Sequence, residues 1–176
     1  MTVTDAIRIR HLDTIGEREI QGLSDVLIDC VEGGASVSFM LPMTRAKAET
    51  FWRNAAAGVA RGERVVLSAE DETGIVGTVQ IILAQPENQP HRGDLAKMLV
   101  HRRARRRGIG EALLVAAERS ALDAGKTLLV LDTASDDAER LYARQGWQRC
   151  GIIPNYALFP DGRPCATTYF FKSLRD

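Results

Sequence analysis

Apolar positions recur along this chain with two periods, and the switches between them mark out the elements. Ile7–Leu12 alternates, which predicts a short first strand. Ile15, Ile20, Leu23, Leu27 and Val31 then fall near helical spacing, and the Gly33-Gly34 pair predicts that helix's end. Ala35–Met43 follows no period. Thr44 is placed to cap a second helix running to about Arg61, with Phe51 and Trp52 on its inner face. Arg64–Glu70 and Ile75–Leu83 are Val/Ile-rich strands joined by a hairpin turn at Asp71–Gly74. A polar loop, Gln85–Gly93, leads into a central strand at Asp94–Val100. Gly108–Ala124 forms a helix, with Leu113, Leu114, Ala117, Ala121 and Leu122 on one face and Gly125 stopping it. Thr127–Thr133 is a buried strand. Ser135 caps a helix to about Gln145, and strands at Trp147–Ile153 and Thr167–Phe171 flank a loop turned at Pro160–Gly162. The predicted fold is α/β: one domain over residues 1–176, a mixed sheet of about seven strands and about four helices.

Composition changes this picture little. The 176 residues are 45% hydrophobic and 26% charged, the balance of a globular domain with one core. Lys plus Arg and Asp plus Glu each number 23, so the whole chain is no electrostatic partner for nucleic acid or an anionic membrane. The N-terminus (Asp5, Ile7, Arg8, Ile9, Arg10) has no apolar leader region, and no stretch approaches the roughly 20 apolar residues of a membrane span. Cys30, Cys150 and Cys165 form neither a CxxC pair nor a cluster with His11, His91 or His101. They predict reduced, packed thiols, a cytoplasmic protein and no metal.

The chemistry is concentrated in LAKMLVHRRARRRGIGEALL, Leu95–Leu114, where a strand enters an arginine-rich turn, then Gly108-Ile109-Gly110, then a helix. A helix's first N–H groups lack internal acceptors, and its dipole adds positive potential there. Glycines let an anion approach that backbone, so strand–RxxGxG–helix predicts a phosphate cradle. It is not a P-loop, because Glu111 follows Gly110 where that loop needs Lys. Nor is it a dinucleotide fingerprint, because Leu113 stands where Gly or Ala is required.

Arg105, Gly108 and Gly110 resemble the main cofactor motif of the GNAT superfamily of N-acetyltransferases. SDDAERLYARQGWQRCG, Ser135–Gly151, resembles that family's second cofactor motif through Ala138, Leu141, Tyr142, Gly146 and Trp147, with Ser135 where Asn is common. The two motifs occur in the family's order, one helix and one strand apart. The resemblance implies the GNAT sheet, mostly antiparallel, and acetyl-CoA as acetyl donor. It places the pyrophosphate on Arg105, Arg106, Arg107, Gly108, Ile109, Gly110 and Glu111, and the pantetheine arm on Met98, Leu99 and Val100, with Ser135, Ala138 and Tyr142 completing the site. Within the family, Gly33–Met40, Arg92–Val100, Leu131–Thr133 and Tyr156–Leu174 look like the tabtoxin-resistance type, whose acceptor is an amine of a β-lactam dipeptide-derived toxin. Asp94 departs from that type, which has Glu there.

Direct attack by an amine needs no covalent enzyme intermediate, and the chain has no Ser/His/Asp or Cys/His pattern. The resemblance implies Tyr142 as general acid and Asp132 and Asp94 as base or amine-binding groups. Ser36 and Phe39, in the non-periodic segment, are expected to face the acceptor together with Asp94 and Asp132. A pocket closed by Gly33–Met40 and Tyr156–Pro164 favours a small-molecule amine; an open groove favours a protein lysine or α-amine. Two other classes stay open: an acyl-CoA-binding module without catalysis, and nucleic-acid binding by the five arginines of Arg102–Arg107. That run lacks aromatic residues, so no nucleic-acid partner is expected. A monomer and a homodimer are both compatible with the sequence.

Overall fold

The computed structural model describes residues 6–175; Asp5 lies outside them. In chain order the elements are β1 (Arg8–His11), α1 (Glu17–Glu32), α2 (Arg45–Ala60), β2 (Arg64–Asp71), β3 (Gly74–Ile82), β4 (Arg92–Val100), a 3-10 turn (Arg102–Ala104), α3 (Ile109–Asp123), β5 (Leu128–Thr133), α4 (Asp136–Arg144), β6 (Gln148–Leu158) and β7 (Pro164–Ser173). The seven strands described form one sheet in the order β1-β2-β3-β4-β5-β7-β6. Every neighbouring pair is antiparallel except β4 and β5. This is the expected mixed, mostly antiparallel sheet with four α-helices. Among the described residues no helix is long and apolar enough to cross a membrane.

Two cores sandwich the sheet. On one face α3 lays Leu113, Leu114, Ala117 and Ala121 against Val65, Leu67, Val79, Ile81, Leu129 and Leu131. On the other, α1 contributes Ile20, Leu23, Leu27 and Val31 and α2 contributes Trp52 and Ala55, packed on Val66 and Leu99. Full burial of each Leu or Ile contributes about 1.5–3 kcal/mol, so both faces are anchored by long rows of such residues.

Strand β4 belongs to both cores, and the reason is a bulge. Thr78 pairs with Leu99 and Gln80 with Ala96, so Lys97 and Met98 together oppose the single residue Val79. Lys97 takes φ +52°. In a regular strand Leu95 and Leu99 share a face. Here the extra residue reverses the alternation: Leu95 packs with α3 and Leu99 with α1. Pairing of β4 with β5 is confined to Arg92↔Leu128, Gly93↔Leu129 and Asp94↔Val130. Beyond Asp94 the two parallel strands part.

The sequence reading needs three corrections here. The last two strands are longer than predicted, so their connection shrinks to Phe159–Arg163, closed by hydrogen bonds from Phe159 N to Arg163 O (2.8 Å) and Gly162 N to Phe159 O (2.9 Å). Asp94 is the third residue of β4 rather than its first. Cys30 and Cys165 are buried as expected, but Cys150 is exposed, because β6 is an edge strand with little packed over it.

Candidate acetyl-donor and acceptor cleft

Where β4 and β5 part, a cleft of about 730 Å³ opens into the sheet. Its walls are the bulged half of β4, the Arg105–Glu111 turn, the end of β5 with Ser135, the inner face of α4, and Gly33–Val37 from the α1–α2 connection.

The Arg105–Glu111 turn is built to expose backbone. Helices α2 and α4 begin with hydroxyl caps: Thr44 accepts from Lys47 N and Ser135 from Ala138 N. Helix α3 begins at Gly108, which takes φ +73° and has no side chain to accept a hydrogen bond. A Cβ built there would meet nothing within 4 Å, so the first-turn N–H groups of α3 look into open cleft. At Gly110 a Cβ would come 3.2 Å from Leu141 Cδ2, so this glycine lets α4 pack close beside α3.

Much of the arginine run is already committed to carboxylates. Arg102 donates from its backbone N (2.8 Å) and from Nε (3.0 Å) to Asp29. Arg103 and Arg107 both reach Asp71 Oδ2, at 3.2 and 3.1 Å. Burial alone would raise the Asp71 pKa, but two hydrogen bonds from Thr73 and the two guanidinium groups outweigh it and draw the carboxyl down to about 2. Arg105 donates from Nε to Val100 O (3.3 Å), and Arg106 takes φ +62°; both line the cleft. The turn is therefore pinned on one flank to α1 and on the other to the β2–β3 hairpin.

A folded-state pKa below the ordinary 3.8 means Asp71 stabilises the fold above about pH 4, and that contribution is lost as pH falls towards 2. Asp71→Asn is expected to remove that acid dependence from urea-denaturation midpoints measured between pH 4 and 2. It is also expected to weaken acetyl-CoA binding roughly 3- to 10-fold in calorimetry, the scale of one ion pair at about 1 kcal/mol.

Deeper in the cleft stands Tyr142, 3% exposed, its ring packed on Trp147 and Phe170 at centroid distances of 5.7 and 5.8 Å. Burial, aided by the negative charge of Asp132, pushes the phenol well above its ordinary pKa. Asp132 lies at the end of β5, and its Oδ2 accepts a hydrogen bond from Thr167 Oγ1 on β7 at 2.7 Å. Beside it, Tyr169 shares a 2.9 Å hydrogen bond with Tyr156. That bond, burial and the Asp132 charge raise the Tyr169 pKa to about 12.

The cleft brings together most of the residues singled out from sequence. Ser36, Met98, Leu99, Val100, Arg105, Arg106, Gly108, Ile109, Gly110, Glu111, Asp132, Ser135, Ala138 and Tyr142 all line it. Arg107, Phe39 and Asp94 do not. Arg107 turns to Asp71, and Phe39 packs edge-on against Phe51 at 5.5 Å. Asp94 is ion-paired with Arg92 and accepts from Gln85 Nε2 at 3.2 Å, down where β4 and β5 are still paired. Sequence reasoning missed Thr167 and Lys97, and reached Phe159 only as part of the Tyr156–Pro164 segment. Thr167 lies 35 residues from Asp132, and only the β5–β7 pairing brings them together. Thr167→Val is expected to lower kcat/KM for the acceptor about 5- to 10-fold by releasing Asp132, with acetyl-CoA affinity unchanged in calorimetry.

A family model for the acetyltransferase (GNAT) family matches residues 36–147. Solved structures share the fold across nearly the whole chain. A ribosomal-protein-alanine N-acetyltransferase of Brucella melitensis is similar at 24% identity and a TM-score of 0.77, covering 94% of this chain and 99% of its own. An N-acetyltransferase of Staphylococcus aureus has 15% identity and a TM-score of 0.80, with 97% and 99% covered. A phosphinothricin acetyltransferase of Sinorhizobium meliloti, solved with acetyl-CoA, has 17% identity and a TM-score of 0.77, with 95% and 88% covered.

Proposed function

The chain belongs to the acetyltransferase (GNAT) family and is an acetyl-CoA-dependent N-acetyltransferase; we propose that its acceptor is the primary amine of a small molecule, attacked directly while both substrates are bound. The observation that carries the acceptor class is the closure of the cleft's far end. Ser36 Oγ donates to Leu158 O (2.9 Å), Cys165 Sγ approaches Ser36 Oγ (3.4 Å), and Leu41 N donates to Pro160 O (3.0 Å). The α1–α2 connection is thereby tied to the β6–β7 turn, and Phe159 from that turn lines the cleft. A peptide lying across the cleft would have to break those bonds, whereas a small amine needs only the space beneath them.

The residues fit the donor. Uncapped N–H groups at the start of α3, with Arg105 and Arg106 beside them, suit a pyrophosphate, each such hydrogen bond to a charged oxygen contributing about 1.5–3 kcal/mol. The stretch of β4 after Asp94, paired with β3 but no longer with β5, offers backbone groups on its β5 side to an amide-bearing arm. Bound there, acetyl-CoA supplies an activated acetyl thioester.

The protein's part is to place and protonate. Asp132, steadied at Oδ2 by Thr167, offers Oδ1 to the acceptor ammonium and draws off a proton through water. Tyr142 holds its proton because its raised pKa keeps it neutral through the physiological range, so its phenol is in the form that can protonate a departing thiolate. Asp94, ion-paired with Arg92 and hydrogen-bonded by Gln85, is not among the residues that line the cleft.

The test is release of free CoA from acetyl-CoA, measured with a panel of small amines, the tabtoxin β-lactam first, beside unstructured peptides bearing α- or ε-amines. Turnover with at least one small amine and background rates with peptides is expected. Turnover confined to peptide α-amines would move the acceptor to proteins, as the name of the Brucella relative suggests for that enzyme. No turnover with any amine, despite acetyl-CoA binding, would leave a non-catalytic binding module.

A further inference from the structure

Lys97 differs from the chain's other lysines. Lys47, Lys126 and Lys172 each place Nζ between two oxygen acceptors at 2.7–3.0 Å. Lys97 Nζ has one hydrogen-bond partner, the hydroxyl of Ser38 at 3.2 Å, and sits 5.6 Å from the centre of the Phe51 ring. Among the described residues it makes no ion pair, although its side chain is half-buried in the cleft wall. Burial and the nearby Arg64 disfavour its charge, while Asp132 favours it. An ammonium with spare donors in a partly dry wall is expensive unless something anionic completes it.

The backbone goes out of its way to put it there. Lys97 stands at the β4 bulge with φ +52°, a region that side-chain-bearing residues enter rarely, and Ser38 opposite it has φ +79°. Two such residues meeting behind a cleft wall that one of them lines fit the pattern of strain held for a binding site. The bulge also turns Lys97 towards the same space as Asp132, the candidate amine-binding carboxylate on the other wall. Across this part of the cleft the carboxylate of Asp132 and the under-partnered ammonium of Lys97 face its contents from opposite walls.

From this juxtaposition we propose that Lys97 binds a carboxylate of the acceptor, so that the substrate is an amino-carboxylate: a small molecule carrying a primary amine for Asp132 and an acid group for Lys97. The proposal rests on the small-molecule reading above and narrows it. The Lys97 ammonium forms a charge-assisted hydrogen bond to the acid.

The test pairs each acid with its carboxamide. Free L-amino acids and ω-amino acids of three to six carbons, each beside the matching amide, are assayed for CoA release with wild type, Lys97→Met and Lys97→Arg. Circular dichroism melting and acetyl-CoA calorimetry on each variant confirm that fold and donor site persist. For wild type, kcat/KM for at least one acid is expected to exceed that of its amide by about tenfold or more, the scale of one charged hydrogen bond. In Lys97→Met that ratio should fall to about one, mainly through KM of the acid, and Lys97→Arg should restore part of it. Wild type that turns over acids and amides equally would overturn the proposal and leave the small-molecule reading standing. Equal losses for acid and amide in Lys97→Met would also overturn it, marking Lys97 as a structural or donor-side residue. Turnover with neither, and with peptides instead, would overturn both readings.

Discussion

Replacing Gly108 with valine is expected to abolish saturable acetyl-CoA binding in a calorimetric titration while the protein stays folded. Two effects act together. A β-branched residue held at φ +73° is strained by at least 1–2 kcal/mol, so the turn relaxes away from the geometry that opens the α3 N-terminus to the cleft. The new side chain also occupies the open space in front of those N–H groups. Losing two N–H contacts to charged phosphate oxygens, at about 1.5–3 kcal/mol each, weakens binding by more than about 100-fold. Gly62→Val is the control. Gly62 has φ +71° and equally open surroundings, but lies between α2 and β2, outside the cleft, so it carries the strain without the site. If both variants bind acetyl-CoA like wild type, the turn is not the pyrophosphate site.

Tyr142→Phe is expected to lower kcat about 100- to 1,000-fold with little change in acetyl-CoA affinity, within the range of a lost general acid. The ring is the structural part of this side chain, wedged against Trp147 and Phe170, and phenylalanine retains it. Only the proton is lost. The pH profile adds a second expectation. Because burial and Asp132 raise the phenol's pKa, Tyr142 stays protonated at every pH below its ordinary value of 10, so wild-type kcat should show no alkaline fall from this group in that range. In the variant, acceptors bearing the same amine should be slowed by the same factor. A Tyr142→Phe enzyme with undiminished kcat would leave Tyr142 as packing, with the leaving sulfur protonated from water.

Local rules of sequence carried most of the elements and about half of the site. Thr44 and Ser135 cap the helices they were expected to cap, because an N-cap is a contact between residues three apart. The Gly108 turn was legible for the same reason. The ends of β6 and β7 were not. Pro154 and Asn155, the latter at φ +54°, interrupt the alternation of an exposed edge strand, and the register shifts between Ile153 and Ala157. Asp71 and Asp29, which hold the arginine run, lie far from it in sequence, so five closely spaced arginines gave no sign that three of them are paired with two carboxylates. Lys97 was silent because its left-handed backbone is not signalled by glycine.

That bulge constrains how the chain can change its length. Between Leu95 and Val100 every residue's side is set by that extra position: losing Lys97 or Met98 would leave a regular ladder with Leu99 still on the α1 side but without the bulge that shapes the cleft wall, and losing both would send Leu99 from the α1 core into the α3 core. Across residues 83–91, between β3 and β4, no such parity operates. Insertions and deletions should therefore accumulate in that loop among natural variants of this sequence, while the nine residues of β4 keep their number even where their identities drift.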